Sequence, residues 1–375
     1  MPIDQVVFDI DHTFGRFLRV QLKKFQVFET MGAQHLNVSP EHVRQLLKEL
    51  NNAEGIDNSF VLQGIPAFRE FYFDPKHEKE MWELIYSIRD ISKIYTKPYP
   101  GVPETISTLK HNDIKIAVWS DAPWFKGVSR LIRMGLPDCF TVICAMPTKF
   151  DYHELYTPPS LKPYVDKEIA QIRAYGENII QVLHNPKPHM DGLERIIAIT
   201  KVSSEKMMMV GDNVGKDYRA QEAAGMCAVL AKVDEPTEED YELLELYVDK
   251  AINQSKSTEG QNEDGVARKV KKIPEILYYL LEQNSKLVVK SEDRMVLHSI
   301  LSKFSSSTHV ISLSRNANVP QGIVEFHLNV VPRDGINPQS TKEMKNMKLL
   351  PILLDSLTKN PVYFSKQDEK VIYFK

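Results

Sequence analysis

The sequence predicts an α/β fold, with a parallel sheet between helices, a helical cap inserted after the first strand, and a smaller C-terminal α/β module. Short apolar runs of strand length alternate with helical segments from residue 98 to residue 233, an order typical of parallel sheets. A helical stretch at 15–97 follows the first apolar run and is far longer than an ordinary connection. After residue 233 the charge balance changes and a second α/β pattern begins.

Length and composition indicate an ordinary globular protein of about two domains. The chain has 375 residues, of which 42% are hydrophobic and 26% charged, and its net charge is −3. No run approaches the ~18 apolar residues of a membrane span, and the first residues do not resemble a cleaved secretory signal. Three cysteines without a CxxC pair favour a reducing compartment. We therefore expect a cytoplasmic protein with no transmembrane segment and no nucleic-acid partner, while export by a route that reads another signal stays open.

The first apolar run leads directly into two carboxylates. Val6 to Phe8 have the pattern of a buried strand, and Asp9-Ile10-Asp11-His12-Thr13 follows at its end. Ligands of open α/β sheets bind beyond the carboxyl ends of the strands, so both aspartates are predicted at the mouth of a site. One carboxylate could attack while the other handles protons, and both could help to hold Mg²⁺. Taken alone, the pattern fits a strand end with an Asx-type turn equally well.

Residues 15–97 are predicted to form the cap. Ser39-Pro40 and Asp74-Pro75 each place a capping side chain before a proline, which is a start signal for a helix. An insertion of this size at the mouth of a sheet indicates a cap over the site. The catalytic core would then consist of residues 1–14 and 98–233.

Other predicted strand ends bring useful side chains to the same edge of the sheet. A hydroxyl next to a helix N-terminus can donate to an anion, and a lysine supplies positive charge. The residues are Ser120 and Asp121 after the strand 114–119, Lys187 before the helix 190–199, and Asp212, Asn213 and Asp217 after the strand 206–210. Lys162 also precedes a proline and is the rival of Lys187. The other predicted elements are strands 141–145 and 227–233 and helices 104–110, 124–134, 165–175 and 218–224.

The order and content of these strand ends resemble the haloacid dehalogenase (HAD) superfamily. The residues that carry the resemblance are Asp9-Ile10-Asp11-His12-Thr13, Ser120, Lys187-Pro188, Gly211-Asp212-Asn213 and Asp217. The stretch from Pro100-Gly101-Val102 to Ser120 is similar to the subfamily with a helical cap between the first two motifs. The resemblance covers about residues 3–233 and implies a Rossmann-like core under the cap.

The reaction that this resemblance implies is hydrolysis of a phosphate monoester through an aspartyl-phosphate intermediate. Asp9 would attack phosphorus, and Asp11 would protonate the leaving oxygen and then activate water. Ser120 and Lys187 would hold the phosphoryl oxygens. The resemblance further implies Mg²⁺ bound by Asp9, the backbone carbonyl of Asp11 and Asp212, a phosphate pocket that includes Thr13 and Asp121, and support from Asn213 and Asp217.

Some residues distinguish between branches of the superfamily. Asp11 favours phosphate chemistry, because the dehalogenases lack an acid there: a departing halide needs no proton. A phosphomutase keeps both aspartates and stays open. Asp121 departs from the small polar residue that is common at its position, Phe14 replaces a small aliphatic residue, and the interval from Ser120 to Lys187 is long.

The sequence leaves the substrate open. A small metabolite phosphate is the first expectation, and a phosphoprotein is the alternative, in particular phosphotyrosine, because the superfamily includes such enzymes, among them bacterial effectors. Tyr152, His153 and Tyr156 lie in a proline-rich insert and could contact a substrate or pack the loop. A non-catalytic scaffold with the same fold is a third reading.

The C-terminal part has no recognisable chemical motif. Residues 234–265 are acidic and are predicted to form a linker, and residues 266–375 form a basic α/β module of unknown role. An anionic surface or a protein is the expected partner of this module, and a solvated basic face is the alternative. Its predicted elements are helices 273–283, 292–304 and 341–357, strands 286–290, 308–313 and 323–331, and two terminal strands.

Overall fold

The structure is a computed structural model. It describes residues 1–56, 61–136, 140–148, 158–176, 179–249, 263–290, 293–303, 309–316, 325–332, 342–344 and 372–374. The candidate substrate contacts Tyr152, His153 and Tyr156 lie outside the described residues, as does residue range 250–262 of the acidic segment.

Seven parallel strands form the main sheet, which confirms the α/β fold expected from the sequence. In chain order the strands are β1 (Gln5–Phe8), β2 (Lys115–Pro123), β3 (Val142–Met146), β4 (Ile180–Val182), β5 (Met207–Gly211), β6 (Cys227–Ala231) and β7 (Lys269–Val270). The sheet order is β4-β3-β2-β1-β5-β6-β7, so β1 lies in the centre between β2 and β5. The short strands β4 and β7 were not predicted.

Alternate residues of the central strands face two different helical layers. Val6 packs in the large apolar cluster on one side of the sheet, and Val7 packs in the cluster on the other side. The methionine run of β5 divides in the same way, with Met208 on the first side and Met207 and Met209 on the second. Apolar residues on both faces explain why these strands are continuous hydrophobic runs in the sequence.

The cap is helical, as expected. Its helices are α1 (Leu18–Leu36), α2 (Pro40–Glu54), α3 (Val61–Gly64), α4 (Pro66–Tyr72) and α5 (Glu78–Tyr95). Ser39 caps α2 by accepting a hydrogen bond from the His42 N–H, and Asp74 caps the 3₁₀ turn that leads into α5. Both predicted helix starts are therefore confirmed. The cap helices share a buried apolar cluster separate from those of the sheet.

The sheet is covered by the helices that follow its strands. They are α6 (Val102–His111), α7 (Trp124–Arg133), α8 (Lys162–Ala174), α9 (Asp191–Thr200) and α10 (Ala220–Ala223), the last preceded by a π-helical turn at Val214–Arg219. Helices α6 and α7 pack on the side of Val6, and α9 packs on the side of Val7. None of the described helices has the length and hydropathy to cross a membrane.

Strand β2 is longer than predicted. It continues through Ser120 and Asp121 to Pro123, whereas the sequence placed both residues after the strand. The pairing with β3 shifts register between Trp119 and Pro123. Such a bulge re-aims the side chains that it carries, so Ser120 lies at an irregular part of the strand, at the same edge of the sheet as predicted.

The acidic segment after residue 233 begins as a helix that covers the cap. Helix α11 (Glu238–Glu245) starts with a capping box formed by Thr237 and Asp240. Behind it, Tyr247 is buried in the apolar cluster of the cap, and its carbonyl accepts a hydrogen bond of 3.1 Å from the Asn51 side chain. This part of the predicted linker is therefore packed against the cap.

The C-terminal module contains a second sheet. Its elements are α12 (Ile276–Asn284), β8 (Lys286–Lys290), α13 (Arg294–Lys303), β9 (His309–Asn316), β10 (Glu325–Pro332), β11 (Lys342–Met344) and β12 (Ile372–Phe374). The order β11-β12-β9-β10-β8 is antiparallel except between β11 and β12. The predicted helix 341–357 is wrong at its start, because residues 342–344 pair with β12, and its remainder lies outside the described residues.

The module packs directly on the core. Leu277 and Leu280 of α12 belong to the same buried cluster as Val6 of the central strand. The Asn284 side chain also bonds both backbone groups of Ile3, with its Oδ1 2.6 Å from the N–H nitrogen and its Nδ2 2.9 Å from the carbonyl oxygen. The division of the chain at residue 266 stays a prediction.

Candidate active site

The central strands of the sheet bring the first two aspartates of the site together. Asp9 follows β1 and Asp212 follows β5, and these two strands pair in parallel with Phe8 beside Val210. The Asp9 N–H continues the ladder by donating to the Val210 carbonyl at 2.9 Å. The two carboxylates therefore emerge side by side at the carboxyl edge of the sheet, as predicted.

The side chain of Lys187 contacts Asp9, one of these two aspartates. Its Nζ lies 2.9 Å from Asp9 Oδ1 and 2.5 Å from Asp217 Oδ1, and its side chain is only 2% exposed. Burial alone would lower the pKa of this ammonium, but the carboxylates of Asp217 and Asp9 outweigh burial and raise the pKa above its usual value. The lysine is therefore a fixed positive charge. The rival Lys162 pairs with Asp166 on the exposed surface of α8.

Three carboxylates form a cluster around this lysine. Oxygens of Asp9, Asp212 and Asp217 all lie within 4.8 Å of one another. Burial, partly offset by Lys187, raises the pKa of Asp9 to about 7, and burial together with the charge of Asp217 raises the pKa of Asp212 well above its usual value. A crowded set of hard oxygen donors that disfavours its own ionisation fits a divalent cation such as Mg²⁺.

The turn after β5 holds Asp217 in place. Its Oδ2 accepts a 3.0 Å hydrogen bond from the Asn213 N–H, and Asn213 Oδ1 in turn accepts from the Lys216 N–H at 2.9 Å. Gly211 is needed for this packing, because a Cβ at that position would lie 2.4 Å from the carboxyl carbon of Asp217. The Gly-Asp-Asn motif therefore shapes the turn as well as supplying a carboxylate.

Ser120 and Asp121 occupy different positions at the end of β2. Ser120 is 1% exposed, and its Oγ lies 3.2 Å from the Ala122 N–H nitrogen, which donates to it. Asp121 was predicted beside the phosphate, and both of its oxygens are engaged: Oδ1 accepts from the Lys187 N–H and Oδ2 binds Lys216 Nζ, each at 2.7 Å. Asp121 therefore anchors the loop that carries Lys187.

Asp11 pairs with Arg130, a residue that the sequence did not single out. Arg130 Nη1 lies 2.6 Å from one oxygen of Asp11 and 2.7 Å from the other, and the guanidinium also lies over the Phe17 ring at 4.3 Å. Arg130 belongs to α7, far from Asp11 along the chain, and no local motif marks it. Its position on the helix that directly follows β2 is the signal that could have pointed to it.

Two residues between Asp11 and Phe14 have buried polar atoms without a partner among the described residues. The Thr13 side chain is fully buried, and its Oγ1 makes no hydrogen bond in the described part of the chain. Nδ1 of His12 also makes no hydrogen bond in the described part of the chain. Burial and the nearby Arg130 guanidinium lower the pKa of this histidine to about 4. Thr13 thus retains a hydroxyl that a bound anion could use.

Comparisons with known proteins matched a protein family and several individual proteins. The family model of haloacid dehalogenase-like hydrolases matches residues 3–225. The glyceraldehyde 3-phosphate phosphatase of Methanocaldococcus jannaschii is 21% identical over 228 residues, which are 60% of this chain and 84% of that protein. Among solved structures, the 2-haloacid dehalogenase of Pseudomonas syringae pv. tomato is 14% identical, with a TM-score of 0.42 and coverage of 75% of this chain and 99% of that one. A HAD phosphatase of Thermococcus onnurineus is 19% identical, with a TM-score of 0.34 and coverage of 63% and 89%. Because the family model matches more than half of its residues, the chain belongs to the haloacid dehalogenase-like hydrolases.

Proposed function

We propose that this hydrolase is a Mg²⁺-dependent phosphatase that cleaves phosphate monoesters through an aspartyl-phosphate on Asp9. The observation that carries the proposal is the direct contact of the buried Lys187 ammonium with the Asp9 carboxylate at 2.9 Å. A lysine beside a carboxylate nucleophile would bind the anionic phosphoryl group and reduce its repulsion by the nucleophile. Asp11 adds a second carboxyl group, which the departure of an alcohol needs and the departure of a halide does not.

The reaction would consist of two displacements at phosphorus. In the first, an oxygen of Asp9 bonds to phosphorus, the bond from phosphorus to the ester oxygen breaks, and Asp11 gives its proton to that oxygen. In the second, Asp11 takes a proton from water, the water oxygen bonds to phosphorus, and inorganic phosphate leaves Asp9. The contact of both Asp11 oxygens with Arg130 would fix the orientation of this carboxyl group.

The phosphoryl oxygens would be held by side chains that are already buried. Lys187 supplies the charge, and the hydroxyls of Ser120 and Thr13 supply donors. The Thr13 hydroxyl supports this role because it has no other partner within the described residues. Asp217 also binds the lysine ammonium, with 2.5 Å between Nζ and Oδ1.

The carboxylates of Asp9 and Asp212 would hold Mg²⁺, with Asp217 close behind them. When bound, the cation supplies positive charge that offsets the repulsion between an anionic substrate and an anionic nucleophile. The carbonyl of Asp11, which the resemblance adds to this set, stays a prediction.

The proposal is tested by hydrolysis of p-nitrophenyl phosphate by the full chain with Mg²⁺, with Asp9→Asn as the variant. Asp166→Asn is a matched control, because that aspartate lies on the exposed surface of α8. We expect activity that requires Mg²⁺, is lost in Asp9→Asn and is unchanged in Asp166→Asn. A wild-type enzyme that is inert toward every phosphate ester, or an Asp9→Asn variant that keeps its activity, would contradict the proposal.

A panel of substrates distinguishes the remaining hypotheses about the reaction. Metabolite phosphates and phosphotyrosine peptides distinguish a small-molecule phosphatase from a phosphoprotein phosphatase. A 2-haloacid tests for dehalogenation, and a sugar phosphate tests for mutase activity. Absence of every reaction would favour the non-catalytic scaffold.

A further inference from the structure

A cavity of about 230 Å³ lies between the cap and the core. Helices α1, α5 and α8 contribute most of its wall, and the side chains are mainly apolar. They include Phe25, Phe28, Leu84, Ile88, Tyr164 and Val165. A cavity of about 150 Å³ with similar walls is large enough for benzene, so this one could hold a larger group, of the size of a bicyclic aromatic or a medium-length alkyl chain.

A second cavity, of about 20 Å³, lies beside this apolar space and is lined by Asp11 of the candidate active site. Asp11 and Arg130 line the smaller cavity, which shares Lys24, Lys126 and Arg133 with the larger one. Its other charged lining residue is also basic, so Asp11 is the single acid among the charged groups that form its wall in the described structure. The smaller cavity therefore has a polar wall, and the larger one suits an apolar group.

The proposed role of Asp11 indicates which part of a substrate would lie near the two cavities, an inference that rests on the proposed function. In the proposed reaction Asp11 protonates the ester oxygen, so the leaving alcohol must lie on the Asp11 side of the phosphorus. Asp11 lines the smaller cavity, and the larger cavity lies next to it across their shared residues. The part of the alcohol next to phosphorus would lie beside the polar residues that the two cavities share, and its far end would reach the apolar wall.

We infer that the substrate is a phosphate monoester of an amphiphilic alcohol, whose apolar end occupies the cavity between the cap and the core. Such an alcohol would bury apolar surface in proportion to its length until the cavity is filled. Each added methylene should therefore raise affinity by roughly fourfold, the factor that corresponds to burial of one such group. Short, fully polar phosphates would leave the apolar wall uncovered and would bind less well.

Binding can be measured without turnover by using phosphonates, whose carbon–phosphorus bond the proposed reaction does not cleave. We expect calorimetry with the full chain and Mg²⁺ to show that n-octylphosphonate binds at least tenfold more tightly than ethylphosphonate. Ile88→Trp should fill the cavity and remove this preference. Ile94→Trp is the matched control, since that residue lies on the same helix, is 56% exposed and does not line the cavity.

A second variant, Val165→Trp, fills the cavity from α8 in case Ile88→Trp does not fold. Equal affinity for the two phosphonates, or a preference that both tryptophan variants leave intact, would overturn the inference. Rising kcat/KM from ethyl to octyl phosphate in the wild type, lost in the filled variants, would support it. Preferential binding of octylphosphonate without hydrolysis of any ester would support the cavity assignment while refuting the proposed function, so the two failures are distinguishable.

Discussion

Removal of the Lys187 amine should destabilise the protein, most strongly above neutral pH. Lys187→Met keeps the apolar stem of the side chain but leaves Asp9 and Asp217 without the cation that now lies 2.9 Å and 2.5 Å from them. Asp212 belongs to the same carboxylate cluster, so three carboxylates would face one another with no positive charge from this lysine.

The magnitude follows from burial. The side chains of Lys187 and Asp217 are each 2% exposed, and that of Asp9 is 9% exposed, so water cannot replace the lost contact. Removing one partner of a buried ion pair costs about 3–5 kcal/mol. Burial already raises the pKa of Asp9 to about 7 while Lys187 lowers it, so loss of the lysine would raise that pKa further. The penalty is therefore largest where the carboxylates must ionise and fades in acid as they take up protons.

Urea denaturation of metal-free protein at pH 8 and pH 5 measures this effect. We expect the midpoint of Lys187→Met to fall by about 1 M or more at pH 8 and by clearly less at pH 5. Lys162→Met is the control, because it breaks only an exposed pair on one helix and should cost less than about 1 kcal/mol at either pH. An equal loss of stability in both variants, or a Lys187→Met penalty that does not depend on pH, would refute the reasoning.

Three further predictions concern the same site. Because the pKa of Asp9 is raised to about 7, the folded metal-free protein keeps a proton that the unfolded chain has lost, so its stability falls as pH rises from about 4 to 7. Mg²⁺ should therefore raise Tm more at pH 8 than at pH 5. Calorimetric scans that show the reverse would contradict this. Arg130→Met should lower kcat by roughly tenfold or more with little change in KM, since it removes two contacts that orient the carboxylate of Asp11; an unchanged kcat would show that these contacts do not position the acid. Gly211→Ala should destabilise the protein and abolish Mg²⁺-induced stabilisation, because the added Cβ overlaps the carboxyl group of Asp217; a normal response to Mg²⁺ in thermal scans would argue against it.

The parts of the site that lie at strand ends were predictable from the sequence. A parallel sheet gathers the carboxyl ends of its strands at one edge, so an apolar run followed by a polar residue is enough to place Asp9, Asp212 and Ser120 near one another. Lys187 was predicted at the same edge because it directly precedes a predicted helix. The choice of Lys187 over Lys162 needed the structure, which brings the amine of Lys187 to Asp9 and leaves Lys162 on the surface.

Contacts between distant segments were not predictable in this way. Arg130 is 119 positions from Asp11, and its helix shows only an amphipathic pattern. Strand β4 has three residues, too few to show a periodicity. The strand at residues 342–344 lies in a stretch with helical composition, and its pairing with residues 372–374 overrides that local preference.

The extra carboxylate at Asp121 is explained by its two partners. A free carboxylate at this strand end would repel an anionic substrate. Both oxygens of Asp121 are instead engaged, one by the Lys187 N–H and the other by the Lys216 amine. The same residue thus fixes the backbone of the lysine loop while its charge is balanced by Lys216, and Asp9 and Asp217 fix the amine of that lysine. The side chain of Asp121 therefore ties the end of β2 to the loop of Lys187 and to the turn after β5.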